Sequence, residues 1–292
     1  MDIELARTFL TIIATGNFLA AAEKLSITPT AVSARIRLLE DQLGRQVFVR
    51  NKSGARLTAA GERFRRHAAA LVQTWESARQ EIRLPPGRTE GLAVGGELTL
   101  WDPMMLDWLV LMRREQSRIA LRVEIDSAER LIERIREGAL DIGVMHNPPR
   151  FDDLVAELLY DEKLVLAASG ADRREPDDEN YVYVDWGPNF SPYHDAALPQ
   201  FSNPPVFINF GPLARGYLQA VGGSGYFRLG SIEPCLRDGS MRLIPGAPEF
   251  SHSIYLVYAA AREIGLIDLA RASLRACAGR HDMSEARGSR QK

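Results

Sequence analysis

Nine basic side chains fall within residues 28 to 67 (Arg35, Arg37, Arg45, Arg50, Lys52, Arg56, Arg63, Arg65 and Arg66), against only three acidic ones, Glu40, Asp41 and Glu62. Cations at that density can neutralise a run of phosphates, and the arginine fork can also grip a base edge. The excess is local. The formal charge of the chain is −2, made of +5 over residues 1 to 90 and −7 over residues 91 to 292, so the two parts suit different partners. A solvated basic face would account for the charge alone; the helix beside it is what points to a polyanion.

Catalytic residue types are present without catalytic spacing. His67, His146, His194, His252 and His281 are scattered, and the chain has no HExxH, CxxC or GxSxG pattern. Gly222-Gly223-Ser224-Gly225 lacks the lysine of a phosphate loop, and Asp152-Asp153 sits in a turn-like stretch where carboxylates are usually solvated. Cys235 and Cys277 read as structural thiols of a reducing compartment. The expectation is therefore no enzyme, no metal and no cofactor.

The elements that carry the basic cluster begin with a helix over residues 4–14, with Leu5, Phe9 and Ile12 at helical spacing. Gly16-Asn17 breaks it, and the alanine-rich FLAAAEKL, residues 18–25, forms a second. Ser26-Ile27-Thr28-Pro29 supplies a turn, a cap and a proline at the start of a third. On that helix Val32, Ile36, Leu39 and Leu43 make one apolar stripe, while the far side shows Thr30, Ala34 and Arg37 with Ser33 at its flank. A short, polar outer face on the last helix of a helix-turn-helix is fitted to a major groove about 12 Å wide. RQVFVRNKSGARLT then alternates into two strands around residues 51–54, a hairpin wing offering Arg50, Lys52 and Arg56 to phosphates or a minor groove. After Thr58, the residues Gly61, Phe64, Ala68, Leu71, Trp75, Ala78 and Ile82 recur at alternating steps of three and four, a heptad seam. The seam predicts a two-helix dimer presenting two DNA-reading units to two half-sites. The helix ends at Pro85-Pro86-Gly87, a hinge.

The run LAAAEKLSITPTAVSARIRLLEDQLGRQVFVR, followed by ARLTAAGE, resembles the signature of LysR-type transcriptional regulators. LTLWDPMMLDWL and VDWGPNF are similar to the HdfR-like subgroup of that family. The resemblance implies DNA-contact roles for Thr28, Pro29, Thr30, Ser33, Arg35 and Arg37 in the recognition helix and for Arg50, Lys52 and Arg56 in the wing. It also implies a homodimer or homotetramer, double-stranded operator DNA and a small-molecule co-inducer as partners, with RNA polymerase a further one. Many members carry arginine after the helix serine, where this chain has Ala34.

Residues 91–292 read independently as α/β. Strands over 92–95 and 120–125 precede helices over 102–114 and 128–137, and Gly138 ends the second helix before the buried-strand run LDIGVM. Residues 164–167 lead to a second set of strands over 181–186 and 206–210. SIYLVYAA returns to the first, and a helix over 263–277 closes the chain. The expected layout is a winged helix-turn-helix over 1–58, a dimerisation helix over 59–84 with seam residues Phe64, Ala68, Leu71, Trp75, Ala78 and Ile82, a hinge over 85–90 and a regulatory domain over 91–292. That domain divides into lobe I, about 91–163 and 260–280, lobe II, about 164–259, and a disordered tail, 281–292. Two lobes joined by crossing strands resemble periplasmic binding proteins. Ligands in such sheets sit beyond the strand C-termini, which selects Glu97, Thr99, Trp101, Ser127, His146 and Asn147 in lobe I, with Trp186 and Asn189 facing them. Glu97 would repel an anion, so the expected effector is cationic, amide-bearing or aromatic.

At 292 residues and 46% apolar the chain can bury two or three cores. The longest apolar runs fall short of the roughly 20 residues that span a bilayer, and the opening MDIELARTFL has no basic leader, so a cytoplasmic location is expected. A solute-binding receptor whose N-terminal unit only dimerises is the alternative from another class, and the basic balance of residues 28–67 argues against it.

Overall fold

A computed structural model of the chain describes residues 2–51, 54–151, 153–170, 180–260 and 265–288. The N-terminal unit is α1 (Ile3–Thr15), α2 (Phe18–Leu25), α3 (Pro29–Leu43), β1 (Phe48–Asn51) and β2 (Gly54–Leu57), followed by the long α4 (Ala59–Ile82). Each helix start is capped by its own sequence. Asp2, Asn17, Thr28 and Thr58 accept from the amides of Glu4, Ala20, Ala31 and Gly61. The wing is an antiparallel hairpin with Phe48 opposite Leu57 and Asn51 opposite Gly54. Phe9 is the hub of the core here, with ring centroids 5.1 Å from both Phe48 and Phe64.

Gly61 explains how the wing meets α4. A Cβ on it would come within 2.2 Å of the Val47 carbonyl oxygen, which already accepts from the Thr58 amide at 3.0 Å. Only glycine allows that backbone approach.

The regulatory domain is organised by a seven-stranded mixed sheet, ordered β10-β6-β11-β5-β3-β4 with β9 also on β6. Its strands are β3 (Glu90–Gly96), β4 (Ile119–Ile125), β5 (Ile142–His146), β6 (Leu154–Ser169), β9 (Gly223–Arg228), β10 (Arg242–Leu243) and β11 (Phe250–Ala259). In lobe I, β3 runs parallel to β4 and β5, as βαβ connections require. The long β6 and β11 pair antiparallel over their length and carry the chain between lobes. Lobe II adds the parallel pair β7 (Val182–Val184) and β8 (Val206–Ile208), attached through a Tyr181–Ser224 bridge. The helices α5 (Leu106–Glu115), α6 (Ala128–Arg136), α7 (Ser191–Ala197), α8 (Gly211–Val221), α9 (Leu229–Arg237) and α10 (Gly265–Gly288) cover these strands.

Three expectations need correction. The first helix of lobe I does not start at Asp102; a 3-10 turn at Leu98–Leu100 and a π turn at Trp101–Met105 precede α5. β3 begins at Glu90, inside the stretch expected to be hinge. α10 continues to Gly288, into the tail expected to lack order; residues 289–292 lie outside the described residues.

Candidate functional site

The first candidate surface is the outer face of α3. Val32, Ile36 and Leu39 are buried against α1 and α2, which turns Thr28, Pro29, Thr30, Ala34 and Arg37 to solvent. Ser33 sits half-buried at the flank. Leu43, counted with the apolar stripe, is instead 39% exposed. The turn into α3 is set by Ser26, whose left-handed φ of 54° ends α2.

Arg35 is turned inward. One guanidinium nitrogen lies 3.2 Å from the Glu4 carboxylate and 3.2 Å from Thr8 Oγ1. It therefore braces α3 on α1, and the DNA-contact role expected for it is not carried forward. The spacing explains this, since Arg35 stands three residues from Val32 on the core side of the helix. Glu40, which sequence reasoning passed over, accepts from the Val47 amide at 2.8 Å and so fixes where the wing begins. Arg56 on the wing is exposed. Lys52 lies outside the described residues and the side chain of Arg50 outside the described side chains.

The heptad seam of α4 divides. Phe64 packs on Phe9, and Ala68 is fully buried in the same core, so both serve the N-terminal unit itself and leave the seam. Further along, Leu71 is 41%, Trp75 49% and Ile82 86% exposed, with Ala78 half-buried between them. This is an apolar stripe of the kind that marks an interface.

The second candidate site is a cavity of about 110 Å³ between the lobes, lined by Thr99, Pro103, Trp186, Gly211, Arg215, Arg228, Ser231 and neighbouring residues. Of the eight expected residues it takes in Thr99 and Trp186. Trp186 is anchored by its indole N–H on the Tyr226 carbonyl at 3.0 Å, and its ring fills the space a side chain at Gly211 would need. The others have local roles. Trp101 donates to the Gly96 carbonyl at 3.2 Å, Ser127 caps α6, Asn147 holds a left-handed turn at φ 39°, and Asn189 is exposed in a turn.

Glu97 is not an open carboxylate. Its Oε2 accepts from the His146 amide at 2.6 Å and lies 2.9 Å from His146 Nδ1. The ring of His146 stacks on His252 at 3.9 Å, and His252 meets Trp186 edge-on at 6.0 Å. The expectation of a cationic, amide or aromatic ligand rested on an unengaged Glu97 and is withdrawn. The ionisable groups on the cavity wall are Arg215, which donates to the Ser231 carbonyl at 2.8 Å, and the buried Arg228, 3.5 Å from Glu162. The rule that found the lobe I residues would have found these as well, because Gly211 and Arg215 follow β8, Arg228 ends β9 and Ser231 follows it.

The floor of the cleft is the β6–β11 crossing, where His252 stands opposite Glu162. Burial, with the charges of His146 and Arg228 adding to it, holds the pKa of His252 down to about 2. The folded protein then refuses a proton that the unfolded chain accepts near the ordinary histidine value of about 6.5. Stability tied to His252 is thus fully present above that value and falls as pH drops below it. Acidification from pH 7 to 5.5 is expected to cost about 1 kcal/mol through this residue, seen as a fall in melting temperature that is smaller in His252→Asn. Equal falls in both proteins would show that other groups carry the acid sensitivity.

Residues 3–62 match the family model described as bacterial regulatory helix-turn-helix protein, lysR family, and residues 87–278 match the LysR substrate binding domain. The chain is 30% identical over 261 residues to the HTH-type transcriptional regulator HdfR of Salmonella schwarzengrund (strain CVM19633), covering 88% of this chain and 92% of that protein. Among solved structures, ArgP from Mycobacterium tuberculosis superposes with a TM-score of 0.56 at 21% identity, covering 95% of this chain and 97% of that one. Full-length LysG from Corynebacterium glutamicum, with its bound effector Arg, gives 0.56 at 20% identity, covering 95% and 98%. No described helix is long and apolar enough to cross a membrane.

Proposed function

The chain belongs to the LysR family of transcriptional regulators, and from that premise we propose that its α3 face reads operator DNA while a small anion in the interlobe cavity sets the strength of that reading. A DNA-binding helix-turn-helix and an effector-binding domain are the two parts of such a regulator. The observation that carries the proposal is the pairing of an exposed, short-side-chain α3 face with a separate cavity whose charged lining is arginine.

Thr28, Pro29, Thr30, Ser33 and Arg37 would meet base edges, with Arg50, Lys52 and Arg56 at phosphates. Two copies would join through Leu71, Trp75, Ala78 and Ile82, as a homodimer or as paired dimers. In the cavity, Arg215 and Arg228 would face a carboxylate, with Trp186 against its apolar part. An amino-acid effector, of the kind LysG holds, has such a group. A gel shift against genomic fragments tests the DNA half: selective retention supports it, and no retention at low salt would favour a receptor that merely dimerises.

Thermal-shift titration against a panel of small carboxylates tests the other half. Arg215→Ala is expected to weaken the best carboxylate about 10- to 100-fold, the cost of one charge-assisted hydrogen bond in a partly dry site. Glu97→Ser should loosen His146 and change carboxylate affinity less. If Arg215→Ala binds as wild type does while Glu97→Ser gains affinity, the charge assignment is reversed.

A further inference from the structure

Lobe I touches the N-terminal part of its own chain through two charge pairs, one to α2 of the DNA-binding unit and one to α4. Lys24, in the last turn of α2, reaches Glu133 on α6 with 2.9 Å between Nζ and Oε1. Arg65 on α4 lies 3.4 Å from Asp153. Neither acid is loosely placed. Asp153 also accepts from Arg136 at 2.8 and 3.0 Å, and the Arg136 guanidinium in turn lies over the Phe151 ring at 4.2 Å. Glu133 is also held by Arg130 at 2.7 Å. Between the two pairs the backbones close up: a Cβ on Gly138, whose φ is +69°, would lie 3.0 Å from the Gln73 Cα on α4, and Gln73 is only 6% exposed. On the α4 side, Glu76 is tied to Arg7 of α1 and to Arg79, so α4 and the helix-turn-helix move as one piece.

The placement of α6 gives these contacts a direction. Its first residue follows Ser127, just past the C-terminal end of β4, and Gly138 just past its last turn rests on α4. One helix therefore joins the outer edge strand of lobe I to the linker, with Glu133 on the way reaching α2. The α3 face stays open in this arrangement, since Thr30, Ala34 and Arg37 remain exposed. The contact thus fixes the angle of the DNA-binding unit without covering it.

We propose that the surface of lobe I formed by Glu133, Gly138 and Asp153 is a docking site for the DNA-binding unit and the attached α4 of the same chain. Through it, α6 sets how the recognition helix is presented. The inference rests on reading residues 2–58 as the DNA-binding unit, and its test separates the two. Both charge pairs are partly solvated, so each is expected to be worth a few tenths to 1 kcal/mol, about two- to fivefold in an equilibrium.

The first measurement is cross-linking of full-length Lys24→Cys/Glu133→Cys with a short bismaleimide. Cys235 and Cys277 are buried and should not compete. A cross-link within a monomer-mass band is the expected result. A dimer-mass band would place the contact between two chains, and no cross-link would mean the surfaces do not meet; either overturns the proposal. The second is a charge-swap cycle on two-half-site DNA drawn from the fragment pool. Lys24→Glu and Glu133→Lys should each shift affinity about two- to fivefold, and the double variant should return to within about twofold of wild type. Purely additive shifts would overturn the docking while leaving DNA binding intact. Loss of binding by wild type itself would instead sink the reading of the DNA-binding unit.

Discussion

Leu71→Asp is expected to weaken binding to a two-half-site operator by about 10²- to 10⁴-fold, the avidity lost when two linked contacts become one. Binding to an isolated half-site should barely change. On α4, Leu71, Trp75, Ala78 and Ile82 continue a heptad rhythm after Phe64 and Ala68 have turned into the core beneath. A helix packed on its own unit would bury these residues as well, yet Leu71, Trp75 and Ile82 stand 41%, 49% and 86% exposed in the single chain. A partner α4 laid against them removes that apolar surface from water, and a carboxylate at Leu71 would have to be buried without a counter-charge. Trp75→Ala leaves a gap rather than a charge and should act in the same direction more weakly. Sedimentation is the direct check. A Leu71→Asp protein that keeps the wild-type mass and operator affinity would move the dimer contact off this stripe.

The N-terminal unit was legible in the sequence because its elements are decided locally. Thr28 and Thr58 and the small residues of α2 act within a few positions, and the caps appear where the pattern puts them, while Asn17, read only as a break after α1, also caps α2. What the pattern could not settle was which of two neighbouring faces a side chain joins. Arg35 has the right type and the right helix for DNA, but Glu4 and Thr8 come to it from a helix some thirty positions earlier. Phe64 and Ala68 keep the heptad spacing and still belong to the core, since Phe9 lies opposite them.

The cleft was harder for a related reason. Its lining comes from strand ends in both lobes, and the charge of Glu97 acquires meaning only with the His146 amide and ring 2.6 and 2.9 Å away. A carboxylate already accepting two hydrogen bonds is a different object from an open one. The interlobe arginines were within reach of the strand-end rule, once it was applied to β8 and β9 as well as to lobe I.

Ala34→Glu should abolish specific retention of operator DNA, with loss of at least about 100-fold, while leaving the fold intact. Ala34 sits mid-face on α3, exposed, beside Thr30 and Arg37 and opposite the buried Val32, Ile36 and Leu39, so a longer side chain there has room in the free protein. In a groove it would have none, and its charge would face the phosphates. Arg37→Ala is the milder companion: about 1–3 kcal/mol lost if the guanidinium grips a base edge, with relaxed preference at one position. Arg56→Ala should behave differently again, weakening all sequences alike and lowering the slope of log affinity against log salt by about one. Measuring the three together separates the roles, because base readout changes the specificity ratio and phosphate contact changes the salt slope. Unchanged operator binding by Ala34→Glu, in a protein whose melting temperature and mass match wild type, would mean that the opposite flank of α3 enters the groove.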